Sequence, residues 1–364
     1  MPLFEEGPVD VRTRGDVLTV LLDLVERIDL SRVLPSSIEL PNDVQVIHID
    51  DEEAFDVLYG ATVGSADGSH ISREMGLACL GVHCSVGLFF DDSFKLSVDP
   101  ALRMFQKEGI HLLAADSGRA WVSVREATDT YEVARVIAET FEPDIIMVDG
   151  PLLIKPGLIT ISMSERGEDL LENRTYVEDL RACAVAVLGL LETCRERRTS
   201  VVGFVKRPRS RLLARRMGLR VRDIAILGPK TRVGDVVCVG GAGKHPALAL
   251  YSRFGEQAGL SYVREEDWIQ VAYIRTTRRR IFRLEYPKWD DIRKIASFIM
   301  AYAPRGREGV PAPIVLADNM CKTGGDALKS ARRRLMRRWL EAVSYTHLRA
   351  HETEADLVCR LLLE

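Results

Sequence analysis

The stretch EVARVIAETFEPDIIMVDGPLL (132–153) decides how the rest of the chain is read. Val133, Ala134, Val136, Ile137 and Ala138 recur at helical spacing, and a helix is expected over 129–140. It leads through Pro143 into DIIMV (144–148), an unbroken apolar run too short for a helix. Such a run reads as a strand buried on both faces. It closes at Asp149-Gly150-Pro151. A helix feeding a buried strand is the unit of an α/β fold, and the alternation continues outward. A helix over 176–195 precedes the strand SVVGFV (200–205). Strands follow over 236–239 and 268–274, the latter paired as a hairpin with 281–286. Helices are expected over 290–303 and 327–342. Upstream, VQVIHI (44–49) reads as a strand and Asp50 to Glu53 as a solvated turn. Ala61 to Ala66 runs as a strand into an Asp67-Gly68-Ser69 turn. Met75 to Phe90 reads as one long strand or a strand pair, and 16–29 as an amphipathic helix. The expectation is an α/β chain with a mixed sheet flanked by helices.

Composition bounds the function. The chain has 364 residues, 46% hydrophobic and 28% charged, enough for a sizeable core. Its 50 basic and 53 acidic residues leave a formal charge of -3, which argues against polyanion binding over the whole surface but not against local basic patches. No apolar run approaches the roughly 18 residues a bilayer span needs. The N-terminus shows no basic segment followed by an apolar one, so no signal peptide is expected. Seven cysteines include no Cys-x-x-Cys pair. Neither a zinc ribbon nor a disulfide framework is expected, and a reducing cytoplasm is the simple compartment. Residues 344–364 (SYTHLRAHETEADLVCRLLLE) resemble translated sequencing-adapter read-through, so the natural chain is expected to be cut near Val343.

Two features carry chemistry. Asp67 and Asp149 each close a short apolar strand and each precedes a glycine. Two carboxylates at neighbouring strand ends could converge on one divalent cation, although an Asp-Gly pair is also a common turn. Glu132, read as lying early in its helix, is the third candidate. Its plain alternative is a favourable charge in a first turn. Together they could hold one or two Mg2+ or Mn2+ ions for phosphodiester hydrolysis. The second feature is VVGFVKRPRSRLLARRMGLRVRD (201–223), in which basic residues start at the end of a buried strand. Lys206 is best placed for a scissile phosphate, with Arg207, Arg209 and Arg211 beside it. Further basic clusters lie at Arg275, Arg278, Arg279, Arg280 and Arg283, and at Arg332 to Arg338. GGAGKHP (240–246) resembles part of a phosphate-binding loop but has Cys238 and His245 where Gly and Ser/Thr are needed. His70 follows the first Asp-Gly pair and could lie near the site, a surface histidine being the plainer reading.

These residues resemble a family. SADGS (65–69), YEVARVIAE (131–139), IIMVDGPLL (145–153), VVGFVKRP (201–208), RLEYP (283–287) and VPAPIVLAD (310–318), in this order, are similar to the NurA nucleases, across about residues 60–340. These are prokaryotic DNA-end-processing enzymes that partner the HerA hexameric helicase. The resemblance implies an RNase H-like core, a homodimer with a central channel, and Mn2+-dependent cleavage of DNA, as a 5′ to 3′ exonuclease with single-strand endonuclease activity. It implies that Asp67, Glu132, Asp149 and Asp318 bind the ions, two in number, and that Lys206 serves the scissile phosphate. It divides the chain into an N-terminal region (1–59), the nuclease domain (60–343) and the tail (344–364). The chain departs from the family at Val310, where a tyrosine is usual, and carries Asp318 in the last pair. Two other readings stay open: an actin-like ATPase on the same core, and a catalytically inactive module that binds DNA or the helicase.

Overall fold

In the computed structural model, side chains of the run Ile145–Asp149 alternate between two cores. Ile146 and Val148 join the apolar cluster on one face of the sheet, Ile145 and Met147 the cluster on the other. A strand buried on both faces has no polar side to show, which is why its sequence is continuously apolar. The structure describes residues 39–58, 60–75, 78–91, 104–114, 118–163, 170–265 and 267–322, with six further residues between 329 and 338. The helix expected over 16–29 and the tail 344–364 lie outside the described residues. Of the helix expected over 327–342, residues 329, 330, 333, 334, 337 and 338 are described, and they are helical and exposed.

The elements in chain order are β1 (Gln45–His48), α1 (Asp51–Asp56), β2 (Val63–Met75), β3 (Ala78–Phe90), β4 (Met104–Ala114), α2 (Gly118–Phe141), β5 (Ile145–Asp149), α3 (Pro156–Met163), α4 (Leu170–Arg197), β6 (Ser200–Val205), α5 (Leu212–Arg216), α6 (Asp223–Leu227), β7 (Asp235–Gly241), α7 (Pro246–Gln257), β8 (Ile269–Thr277), β9 (Arg280–Pro287), α8 (Ile292–Tyr302) and α9 (Ala312–Cys321). The strands form one nine-stranded sheet in the order β1-β7-β8-β9-β6-β5-β2-β3-β4. β2, β3 and β4 are an antiparallel meander, and β5 and β6 run parallel to β2. This is the expected RNase H-like core. β9, β8, β7 and β1 extend it by antiparallel pairing. Residues of α2, α4 and α7 pack in one core; residues of α1, α8 and α9 pack in the other.

Three expectations are corrected. Asp67-Gly68-Ser69 is not a turn. Asp67 lies mid-strand in β2, opposite Val86 of β3. Gly68 is there because α2 lies directly on the strand: a Cβ at Gly68 would sit 2.1 Å from Glu126 Oε1 and 2.3 Å from Thr130 Oγ1. The helix expected from Asp129 begins at Gly118, so Glu132 is in its interior and not in its first turn. The β-branched and polar run AWVSVREAT hid this start, because tertiary packing overrode weak propensity. The acidic stretch at 50–53 opens a helix. Asp50 caps α1 by accepting from Glu53 N at 2.8 Å, and the acidic first turn complements the helix dipole.

The close seating of α2 is directly testable. A Cβ at Gly81 on β3 would stand 2.0 Å from Val122 Cγ2. Gly81→Ala is expected to cost about 1–3 kcal/mol of stability through overpacking. Adding Val122→Ala should return part of that loss. Chemical denaturation of both variants measures the coupling.

Candidate metal centre

β5 ends at Asp149 while its neighbour β2 runs on to Met75, so the sheet has a step, and Asp67 and Asp149 stand at it side by side. α9 packs across β2 on the face that Asp67 presents and brings Asp318 to the same point. Ligand oxygens of Asp67, Asp149 and Asp318 all lie within 4.8 Å of one another. Lys206, the first residue after β6, closes the group. Its Nζ pairs with Asp149 Oδ2 and lies 3.8 Å from Asp318 Oδ1. Lys322, one turn along α9, pairs with Asp318. Asp67 is 5% exposed, while the side chains of Asp318 and Lys206 are 25% and 28% exposed, so the group opens to solvent on their side.

Three clustered carboxylates cannot all hold full charge at low cost. Burial and then the charge of Asp149 push the Asp67 carboxyl up to about 10, so it keeps its proton. Burial raises Asp149 as well, against the pull of Lys206. One shared proton, carried by Asp67, is the consistent description of the pair. Burial works against charge on Asp318 too, but Lys322 and Lys206 hold it below the usual carboxylate range. Burial alone would lower the Lys206 ammonium; Asp149, Asp67 and Asp318 together hold it above its ordinary value. The donor set is all oxygen and tightly grouped, which suits a hard divalent cation.

The segment after Asp149 is fastened from several sides. Tyr131 Oη donates to Pro151 O at 2.5 Å and Tyr251 Oη to Leu152 O at 2.6 Å. Leu153 N donates to the buried Glu285 at 2.8 Å, and Arg283 Nη2 lies 2.6 Å from the other oxygen of that carboxylate. Gly203 makes room for this: a Cβ there would meet Leu152 N at 2.7 Å. The basic segment is fastened in turn by the buried Asp223. It accepts from Leu212 N and Ala214 N, each at 2.8 Å, and from Tyr273 Oη at 2.6 Å. Arg207, Arg209 and Arg211 remain exposed on that rigid base, next to Lys206.

The structure brings together Asp67, Asp149, Asp318 and Lys206. Glu132 is not in this group. The stripe of α2 that meets β2 and β3 is Val122, Glu126, Thr130, Val133 and Ile137, and Glu132 lies about 100° around the helix from Val133. The glutamate of α2 that meets β2 is Glu126. It packs over Gly68 on the α2 face of the sheet, opposite the face that Asp67 presents to α9, and its Oε2 lies 3.0 Å from Nδ1 of His70. Glu126 is hidden in the sequence because no local pattern marks the helix start; its spacing from Glu132, nearly two turns along one helix, is the available signal. Close by, His83 Nε2 is 2.7 Å from Asp129 Oδ2, and Ser85 Oγ is 3.0 Å from Thr130 Oγ1, so a polar layer fills the space between α2 and the sheet. GGAGKHP does not form a phosphate cradle. His245 Nδ1 itself accepts from Ala247 N at the start of α7, and burial followed by Arg283 lowers the imidazole to about 4, which keeps it a neutral acceptor.

Comparison with known proteins agrees with this fold. No curated protein sequence matches the chain. Among solved structures, the NurA nuclease from Sulfolobus solfataricus is similar with a TM-score of 0.56 at 13% identity, over 90% of this chain and 98% of that one. A NurA structure with manganese is similar with a TM-score of 0.51 at 12% identity, over 87% and 96%. At such identities the likeness is one of fold. The NurA domain family model matches residues 61–323, which include Asp67, Glu126, Asp149, Lys206 and Asp318, and on that match the chain belongs to the NurA family of metal-dependent nucleases.

Proposed function

We propose that this chain cuts DNA phosphodiesters at the Asp67–Asp149–Asp318 cluster, loaded with Mn2+ or Mg2+. The observation that carries the reading is the gathering of these carboxylates within 4.8 Å beside a lysine. When bound, divalent ions in such a cage lower the pKa of a water and neutralise the leaving oxygen of the phosphodiester. Asp67 must first give up its proton, which makes loading pH-dependent. Lys206 holds the place of positive charge while the cage is protein only, and on substrate binding its ammonium faces the scissile phosphate. Arg207, Arg209 and Arg211 hold the backbone on the approach. The family resemblance gives the helical carboxylate to Glu132; Glu126, which packs over Gly68 and is oriented by His70, is the rival for that part on the same helix. Asp67, Asp149 and Asp318 would hold the metal, and two ions are inferred from the family resemblance.

The finer assignments rest on the family. We infer a 5′ to 3′ exonuclease with single-strand endonuclease activity, a homodimer, and a HerA-type helicase as partner, in DNA end resection. The nuclease domain is taken as 60–343, after an N-terminal region over 1–59. A cytoplasmic location fits the cysteines, of which the described six are all free. No described helix is long and apolar enough to cross a membrane. Val310, half-buried before α9, replaces the family tyrosine without disturbing Asp318, which favours an active enzyme over an inactive module.

Asp67→Asn and Asp149→Asn are each expected to reduce Mn2+-dependent cleavage of a labelled oligonucleotide by about 100-fold or more, beyond the 10–100-fold typical of residues that only support a metal ligand. Full activity in both would sink the assignment. Glu126→Gln should lose at least about 10-fold and Glu132→Gln stay near wild type; the reverse order would return the role to Glu132.

The raised Asp67 carboxyl also sets a stability trend. Unfolded, it ionises near 4; folded and metal-free, it holds its proton up to about 10. The folded chain therefore binds the extra proton across that window, and its stability falls as pH rises through it. In EDTA at pH 8, Asp67→Asn should be more stable than wild type by at least about 1 kcal/mol, the equivalent of one pKa unit. The gap should narrow toward pH 5. Denaturant titrations at several pH values measure it.

A further inference from the structure

The basic cluster at 275–283 splits in the folded chain. Arg275 and Arg283 turn inward: Nη2 of Arg275 donates to Gly228 O at 2.6 Å, and Arg283 pairs with Glu285. Arg278, Arg279 and Arg280 form the tip of the β8–β9 hairpin and are exposed. Register places that tip. Val205, the last residue of β6, lies opposite Arg283 of β9. Every β9 residue before Arg283 therefore extends past the end of β6, over the same edge at which Lys206 and Asp149 stand. β8 is two strand spacings from β6, or about 10 Å.

The tip is braced. Arg275 Nη1 donates to Arg278 O at 3.3 Å, and Thr276 Oγ1 donates to Gly309 O at 2.8 Å. Arg280 pairs with Glu308. Gly309 takes a φ of +80°, and a Cβ there would lie 2.3 Å from Thr276 Oγ1, so only glycine lets the two segments touch. The segment 308–311 leads directly into α9, the helix that carries Asp318. The hairpin tip and one carboxylate of the cluster are thus mounted on a common connection.

Resting on the nuclease reading above, we propose that Arg278 and Arg279 grip the phosphate backbone of the strand being cut, about 12–14 Å from Lys206 once the overhang along β9 is added to the spacing across the sheet, or about four nucleotides of a stacked strand. Neither guanidinium makes an ion pair with a described residue, whereas Arg275, Arg280 and Arg283 are all engaged within the protein. The two are held out from a braced turn on the edge that bears Lys206 and Arg207. On the other side of the cluster, the continuation of β2 over 68–75 carries one arginine and one glutamate, with no excess of positive charge. The strand therefore leaves the carboxylates across β6, β9 and β8, and not across β2 and β3. Recognition is of the backbone, since arginine tips without aromatic neighbours read phosphate and not base identity.

The test measures affinity apart from cleavage. Fluorescence anisotropy of a labelled single strand, long enough to span both places, is followed in EDTA for the full chain and for Arg278→Gln/Arg279→Gln. The variant should bind about 10-fold more weakly at low salt, and its slope of log affinity against log salt should be shallower by about 1.4, at ~0.7 for each phosphate no longer gripped. With Mn2+, the p-nitrophenyl ester of thymidine 5′-monophosphate, too short to reach the tip, should be hydrolysed by the variant at the wild-type rate. That rate also shows the variant to be folded. The charge reversal R278E/R279E should weaken the strand further. Unchanged affinity and slope in both variants overturn the proposal. Should wild type bind the strand, the variants lose it and neither ester nor strand be cut, the nuclease reading falls and this surface stands. Should the ester and the strand be cut normally by variants of unaltered affinity, the surface falls and the nuclease stands.

Discussion

Mutual repulsion among Asp67, Asp149 and Asp318 is the constraint to which the surrounding structure answers. Their oxygens are held within 4.8 Å in a largely buried setting, where like charges are costly. The metal-free chain offsets that cost with two lysines and a retained proton. Lys206 bridges toward Asp149 and Asp318, Lys322 steadies Asp318, and Asp67 stays neutral. None of these devices satisfies three carboxylates as fully as a divalent cation would.

Holding such a group requires that each member be rigid. Asp67 is fixed mid-strand, between β3 on one side and β5 on the other. Asp149 is fixed by the fastening of the segment that follows it: Tyr131, Tyr251 and Glu285 take up backbone groups that would otherwise need water. Asp318 depends on α9, whose approach is set by the touching of Thr276 and Gly309. The buried Glu285 and Asp223 follow one rule. Each carboxylate sits under a loop that bears function and accepts from its backbone, so that polar groups in the interior order the surface above them.

The α/β class, the buried strands β5 and β6, the β8–β9 hairpin and the residues Asp67, Asp149 and Lys206 were legible because they depend on local pattern, whereas Asp318 was legible only through the family resemblance. Unbroken apolar runs mark strands covered on both faces, and carboxylates or lysines at their ends are visible by position. Which glutamate of α2 meets the sheet was not legible. Glu126 and Glu132 are alike as letters, and which one meets the sheet depends on where the helix begins and how it is rotated. Gly68 misled for a related reason. A glycine that admits a helix looks, in the chain alone, like a glycine that makes a turn.

By itself, then, the sequence determined the alternation of strands and helices, the apolar faces that make a two-sided sheet, and the stock of acidic and basic residues available for a site. Only the tertiary structure decided which of those residues meet. Convergence is a matter of register, crossing and helix rotation, which arise from packing between segments far apart in the chain. Residues 67, 149 and 318 share one point in space because strand pairing and the seating of α9 put them there, and no local pattern encodes a distance between segments that the chain joins only through the whole core.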